Sequence, residues 1–280
     1  MRNTCLFPLV RLLACVLLLI AAATAQAASA FILGVPPIHS ARVLTERFEP
    51  LRTYLEKRLG QPVRIESGAD FRRFHKRLLS GDFDLAITPA HFARIAQLDA
   101  GFLPMAKFAP DHDALLMHSA ERPLNSVAEL RSQQLAVIDR LAITVSATLQ
   151  YLATQGLEAD RDYRIVEHRS HASTAYSVAS GLSAAAVTTS QGLKQMPADI
   201  RDKLLLQKHI ADIPAFVLMA KSGMTPSGAN RLKSALLAFP RQAEGIEFLT
   251  RIGYTKLIPI DAADMKRADV YLDATRKALK

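Results

Sequence analysis

Short apolar runs alternate with amphipathic stretches along nearly all of this 280-residue chain, and the period of each stretch predicts its element. Phe31, Ile32, Leu33, Gly34 and Val35 form a continuous apolar run stopped by Pro36 and Pro37, which reads as a buried strand. Over 42–59 the apolar positions Val43, Leu44, Phe48, Leu51, Tyr54, Leu55 and Leu59 recur at helical spacing, and Gly60 and Pro62 end the helix. Residues 63–66 alternate as a second strand, 71–79 form a short basic amphipathic helix, and 83–87 form a third strand. Pro89 then introduces a helix over 90–98. Strand, helix, strand, helix, strand predicts a parallel sheet with crossover helices.

The pattern then begins again. A strand at 114–117 leaves the first unit, and Ser126 with Glu129 three residues on has the form of a capped helix start. Strands follow at 135–138, 163–166 and 184–187, separated by helices over 144–155 and 173–179 that end at Gly156 and Gly181. An apolar strand at 215–220 carries the chain back, and 226–280 is mostly helical. The expected fold is α/β and two-lobed, each lobe a mainly parallel sheet flanked by helices, with two hinge crossings near 116 and 215. Residues 28–115 and 216–280 make lobe 1, and 116–215 make lobe 2.

The amino terminus breaks this pattern. Arg2 and Arg11 precede an apolar run over 12–20 that fades into alanines, and Ala25-Gln26-Ala27 has the small-x-small form of a cleavage site. That layout is a cleavable secretory signal over 1–27, cut after Ala27. The run is too short for a membrane anchor, and most of it follows Cys15, which argues against a lipobox at Leu12-Leu13-Ala14-Cys15. Both cysteines, Cys5 and Cys15, lie in the signal, so the mature chain folds on core burial alone, in a bacterial periplasm. The formal charge of +9 falls to +7 without Arg2 and Arg11, which suits anionic ligands by long-range steering. Scattered basic residues, few aromatics and no tryptophan argue against nucleic acid as a partner.

Gly34-Val35-Pro36-Pro37, Phe48-Glu49-Pro50-Leu51, the run from Tyr54-Leu55 to Leu59-Gly60, Gly81-Asp82-Phe83-Asp84-Leu85-Ala86 and Pro89-Ala90-His91-Phe92-Ala93-Arg94 stand in an order and spacing of their own. With Leu149-Gln150-Tyr151-Leu152, Ser177-Val178-Ala179-Ser180-Gly181 and Ala184-Ala185-Ala186-Val187, this arrangement resembles the phosphate/phosphite/phosphonate-type periplasmic solute-binding proteins. The resemblance implies a type II periplasmic-binding-protein fold that closes on a small ligand and presents it to an ABC-type permease. It departs from the family at the ligand residues. The Ser-Thr-Ser-Gly turn of phosphonate binders corresponds to a stretch where Ala142 and Ile143 replace hydroxyls and Thr144 stays polar, with Ser146 nearby. The acidic pair that receives a ligand amine corresponds to Ala172 and Ser183, and the ligand tyrosine to Thr88.

In such sheets ligands sit beyond the carboxyl ends of the parallel strands. That rule selects Pro37, His39, Ser40, Thr88, His91, Asp139, Arg140, Thr144, Ser146, His171, Ser173 and Thr188 as candidate ligand-binding residues, with Thr174, Thr189 and Ser190 beside them. The set is rich in hydroxyls and imidazoles and poor in acids, which suits a neutral or anionic ligand. Taken singly, each Ser, Thr or Asp is as readily a helix cap or turn residue. Arg140 has two readings, a clamp on an anion or a partner for a nearby acid. His168 with His171, and Asp111-His112-Asp113, are weak metal clusters without cysteine or a helical His-x-x-x-His, so no metal and no cofactor is expected. No nucleophile elbow, P-loop or dinucleotide glycine motif marks an enzyme. The expected function is capture of a small anionic ligand for a permease by a monomer with no stable membrane insertion after signal cleavage. A sensor reporting to a membrane signalling partner is the alternative, and an enzyme on the same scaffold a third.

Overall fold

The computed structural model describes residues 30–194 and 196–280; the expected signal and its cleavage site lie outside the described residues. Strand β1 (Phe31–Gly34) leads to helix α1 (Ala41–Leu59), β2 (Val63–Glu66), α2 (Phe71–Leu79), β3 (Leu85–Thr88) and α3 (Ala90–Ala100), the alternation that the apolar pattern predicts. In α1, Leu44, Phe48, Leu51, Tyr54 and Leu55 are buried on one stripe, and Gly60 at φ 69° ends the helix in the left-handed conformation that glycine adopts without strain. Gly34 is required for another reason: a Cβ there would stand 2.5 Å from the Phe83 ring.

Strand β4 (Leu103–Ala109) follows, then the chain crosses at Pro110-Asp111 into β5 (His112–Ser119). The apolar pattern did not announce β4, because Pro104 reads as a breaker. The ladder accommodates it by a register shift where Pro104, which has no N–H, faces Met219. The second half comprises β6 (Gln134–Val137), α4 (Ile143–Thr154), β7 (Arg164–Glu167), α5 (His171–Ala179), β8 (Ala185–Thr188), the short helices α6 (Ser190–Lys194) and α7 (Ala198–Arg201), and β9 (Leu204–Ile213). The chain returns through β10 (Val217–Ala220) and closes with α8 (Pro226–Ala238), α9 (Ala243–Ile252), β11 (Lys256–Ile258), α10 (Ala262–Lys266) and α11 (Leu272–Leu279).

Two sheets result. The first has the order β11-β4-β10-β3-β1-β2 and the second β7-β6-β8-β5-β9. Each is built on a parallel triad, β2-β1-β3 and β7-β6-β8, extended by antiparallel strands, so that four of six strands and four of five run the same way. The fold is therefore the two-lobed α/β arrangement with two crossings that the sequence predicts. The return is at Pro214-Ala215-Phe216, and the outward crossing lies at Pro110-Asp111 instead of near 116, because β5 pairs within the second sheet from His112 onward.

One apolar cluster packs α1, α8 and α9 on the first sheet, around Leu33, Phe48, Leu55, Phe108, Leu236 and Phe248. Another packs the second sheet around Leu135, Val145, Leu152 and Val187. The carboxy-terminal segment joins the two halves: Ile143 and Ala147 of α4 share a buried cluster with Met265, Ala268 and Tyr271. Gln150 Nε2 donates to the Val270 carbonyl at 3.1 Å, and Arg267 pairs with Asp111 of the crossing at 2.5 Å. Arg276 holds Asp99 at 2.6 Å and Arg94 holds Asp269 at 2.7 Å, pinning the same segment to α3.

Candidate functional site in the cleft between the sheets

The carboxyl ends of β1, β3, β6 and β8 face a common cleft that is open to solvent. Residues of the first sheet's side, the crossings and the second sheet's side all line it. Most of the lining is apolar or aromatic: Ile38, Phe48, Phe71, Ile87, Phe108, Ile138, Ile143, Phe216 and Ile252. The polar members are Arg47, His39, His112, His171, Thr144, Thr189, Gln191 and Tyr254, and no carboxylate is among the described residues that line it.

These polar groups are already organised. Arg47 Nη1 lies 3.2 Å from His39 Nε2, so the imidazole accepts and carries its own proton on Nδ1. His171 Nδ1 is 3.4 Å from Thr188 Oγ1. The Tyr254 hydroxyl and His112 Nε2 are hydrogen-bonded to each other, and the His112 ring meets Phe216 edge-on at 5.2 Å. Burial, with Arg47 and His171 adding, pushes His39 down to about 4. Burial, with His171 adding, pushes His112 down to about 4, and burial alone does the same for His171. The three imidazoles are therefore neutral hydrogen-bonding groups near pH 7, and each disfavours a charge on its neighbour.

Two helices begin at the cleft without a side-chain cap. Ala142 precedes α4 and Pro89 precedes α3, and neither offers a capping side chain. Helix geometry leaves the first N–H groups of each unpaired, a fit for an anion. Pro89, Ala142, Ile143 and Thr144 all line the cleft. Helix α5 differs: the Ser170 side chain accepts from Ser173 N and the Ser173 side chain accepts from Ser170 N, closing a capping box within the helix.

Of the sequence-selected residues, His39, Thr144 and His171 line the cleft, as does Thr189. Pro37 stands between two lining residues, Pro36 and Ile38, and Ser40 is exposed at the start of α1. Thr188 touches the cleft through His171. Ser146 is buried in the first turn of α4 and Ser173 is engaged in its capping box. Thr88 is fully buried, its Oγ1 without a partner among the described residues. Arg140 takes the second of its two readings, pairing with Asp160 at 2.5 and 2.9 Å.

His91 and Asp139 lie together where the two halves touch. Leu141, on the loop after β6, packs with Phe71 and Phe92 of α2 and α3. His91 Nε2 donates to the Leu141 carbonyl at 2.9 Å. The Asp139 carboxylate accepts from Leu141 N at 2.7 Å and from Phe71 N across the contact.

Sequence reasoning missed Arg47, His112, Tyr254 and the aromatic lining. Searching only the loops after parallel strands passes over a helix such as α1 and the crossing strands themselves. The run Asp111-His112-Asp113 separates in space: Asp111 binds Arg267, His112 meets Tyr254, and Asp113 accepts from Ser190 N at 2.7 Å. Among the described residues no group of three or more His, Cys, Asp or Glu is placed to hold a metal ion.

Two α/β lobes, two crossings and a cleft between them define a type II periplasmic binding protein. The chain belongs to the family described as "ABC transporter, phosphonate, periplasmic substrate-binding protein", whose profile matches residues 33–265. No curated protein matches the chain by sequence. Solved structures resemble it over most of its length. PhnD1 from Prochlorococcus marinus, solved in complex with methylphosphonate, has 17% identity and a TM-score of 0.79 over 89% of this chain and 98% of its own. The binding-protein component of an ABC phosphonate transporter from Pseudomonas aeruginosa has 17% identity and a TM-score of 0.77, over 90% and 89%. XAC2383 from Xanthomonas citri, solved bound to ATP, has 19% identity and a TM-score of 0.75, over 89% and 98%. At these identities what is shared is the fold. Among the described residues no helix is long and apolar enough to cross a membrane.

Proposed function

We propose that the chain is the periplasmic receptor of an ABC importer, exported by its amino-terminal signal, and that it captures a small anion between its lobes and hands it to the permease as a monomer. The lobes act as two bodies divided where the chain leaves the first sheet near residue 110 and re-enters it near 215. Family membership supports transport over catalysis. The observation that carries the anion reading is the composition of the cleft. Arg47, three neutral imidazoles and two uncapped helix starts converge there, and among the described residues no carboxylate lines it. His39, Thr144, His171 and Thr189 are the proposed polar contacts, with Arg47 supplying charge.

The test is thermal unfolding of the purified protein with phosphate, phosphite, sulfate, phosphonates and sulfonates in turn. A ligand at 100 times its Kd adds about 2.7 kcal/mol, which moves Tm by several degrees. At least one oxyanion should do this, and Arg47→Gln should abolish the shift. A folded protein indifferent to every anion sinks the proposal. Delivery is tested by uptake of the bound ligand in cells lacking the gene. Loss of a transcriptional response with uptake intact would instead mark a sensor.

A further inference from the structure

The cleft is furnished for more than an oxyanion. A site for phosphate or a one-carbon phosphonate needs little beyond converging donors, yet here the donors are embedded among Phe48, Phe108, Phe216, Ile38, Ile143 and Ile252. Such a lining has nothing to gain from a fully hydrated ion and much to gain from an apolar body. The aromatic members are oriented and supported. Phe108 and Tyr254 stack at 4.8 Å, with 18° between the ring planes. His112 stands edge-on to both Phe216 at 5.2 Å and Tyr254 at 5.4 Å. Offset and edge-on walls of this kind receive a further flat ring, because ring edges and faces are electrostatically complementary.

Charge narrows the class. A ligand ammonium needs a carboxylate or a set of carbonyl acceptors, and among the described residues no carboxylate lines the cleft. The positions that correspond to the family's acidic pair have moved away from that role: Ser183 is buried and bonded to Ser177 at 2.9 Å, and Ala172 has no polar side chain. The cationic group of the cleft is Arg47, hydrogen-bonded to His39. Resting on the receptor reading above, we infer that the ligand is an aryl-bearing monoanion or dianion without an amine, its acid group (phosphonate, sulfonate or carboxylate) held by Arg47 and the imidazole and hydroxyl donors, and its ring held by Phe216 and Phe108.

Calorimetry on the purified protein tests this with five probes: phenylphosphonate, benzenesulfonate, methylphosphonate, 2-aminoethylphosphonate and the uncharged benzyl alcohol. At least one of the two aryl anions should bind about tenfold or more tighter than methylphosphonate, since burying a ring removes far more than one methylene from water. 2-Aminoethylphosphonate and benzyl alcohol should bind no better than methylphosphonate. Phe216→Ala should erase most of the aryl advantage while leaving methylphosphonate affinity within a few-fold. Arg47→Gln should weaken every anion. Methylphosphonate or 2-aminoethylphosphonate as the tightest probe would overturn the ligand class while leaving the receptor standing. Benzyl alcohol equal to phenylphosphonate would overturn the anionic half. A folded protein that binds none of the five overturns this inference, and the wider oxyanion series above then decides whether the receptor reading falls with it.

Discussion

His75 is buried on α2 with its ring 4.2 Å from that of Phe92, and both of its nitrogens lack a partner among the described residues. Burial pushes it down to about 4 against a partial pull from Asp99. A buried polar atom without a partner costs about 1–3 kcal/mol, so His75→Leu, close in volume, should raise Tm by several degrees at pH 7. Differential scanning calorimetry reads this directly, and a fall in Tm would mean that the imidazole is satisfied. At this scale the sequence was only half legible. His39, Thr144 and His171 could be found from their places after strands, but Ser173, equally placed, spends its hydroxyl on a cap. A hydroxyl that caps a helix and one that binds a ligand have the same neighbours in sequence, and only the direction of the side chain separates them. Arg47 carried no signal at all, because a cation in an amphipathic helix reads as its solvent face.

The capping box of α5 shows what one such residue contributes to an element. Ser170→Ala removes the oxygen that accepts from Ser173 N at 3.1 Å, and should cost about 1 kcal/mol in urea unfolding with an unchanged m-value. Because α5 begins with His171, the same substitution should also weaken anion binding a few-fold by loosening that imidazole. An unchanged denaturation midpoint would show that Ser173 alone maintains the cap. The parallel strands and the helices up to residue 179 were legible to within a residue or two, because each buries one face and its apolar period follows; the short helices α6 and α7 were not foreseen, and 226–280 read only as mostly helical. The strands that were not foreseen are those whose period is hidden. β4 carries Pro104, β11 spans only Lys256–Ile258, and β9 is an edge strand that leaves Leu205 and Leu206 exposed. Strand β9 pairs with one neighbour only, β5, so its side chains answer to one ladder and not to a buried face.

At the scale of the whole molecule the histidines set an acid limit. His39, His75, His112 and His171 are pushed down to about 4 and His91 to about 3, chiefly by burial, against 6.5 in the unfolded chain. Between pH 6.5 and pH 4 the unfolded chain therefore binds more protons than the folded one, and stability is full above 6.5 and drains as pH falls through that window. Asp99, Asp160 and Glu66, held low by their arginine partners, add a further loss at lower pH, while Asp139, pushed up by burial, works the other way. Tm should drop steeply from pH 7 to pH 5, and less so in His75→Leu; a flat profile would contradict the burial of these rings. On the proposed receptor reading, the contact at Leu141 bears on a second whole-molecule property, the balance between open and closed lobes. Leu141→Ala should remove about 2 kcal/mol from the closed form, roughly thirtyfold in that equilibrium, visible as a larger radius of gyration by small-angle scattering without ligand. No change in that radius would show that the carboxy-terminal strap alone holds the lobes. The same contact has a consequence in time. On the proposed receptor reading, parting the lobes separates Leu141 from Phe71 and Phe92 and breaks the His91 bond, so the dwell of the cargo should depend on a side chain outside the cleft lining. Capture and release should thereby be separable: the cleft chooses which molecule is held, and the seam at Leu141 sets for how long.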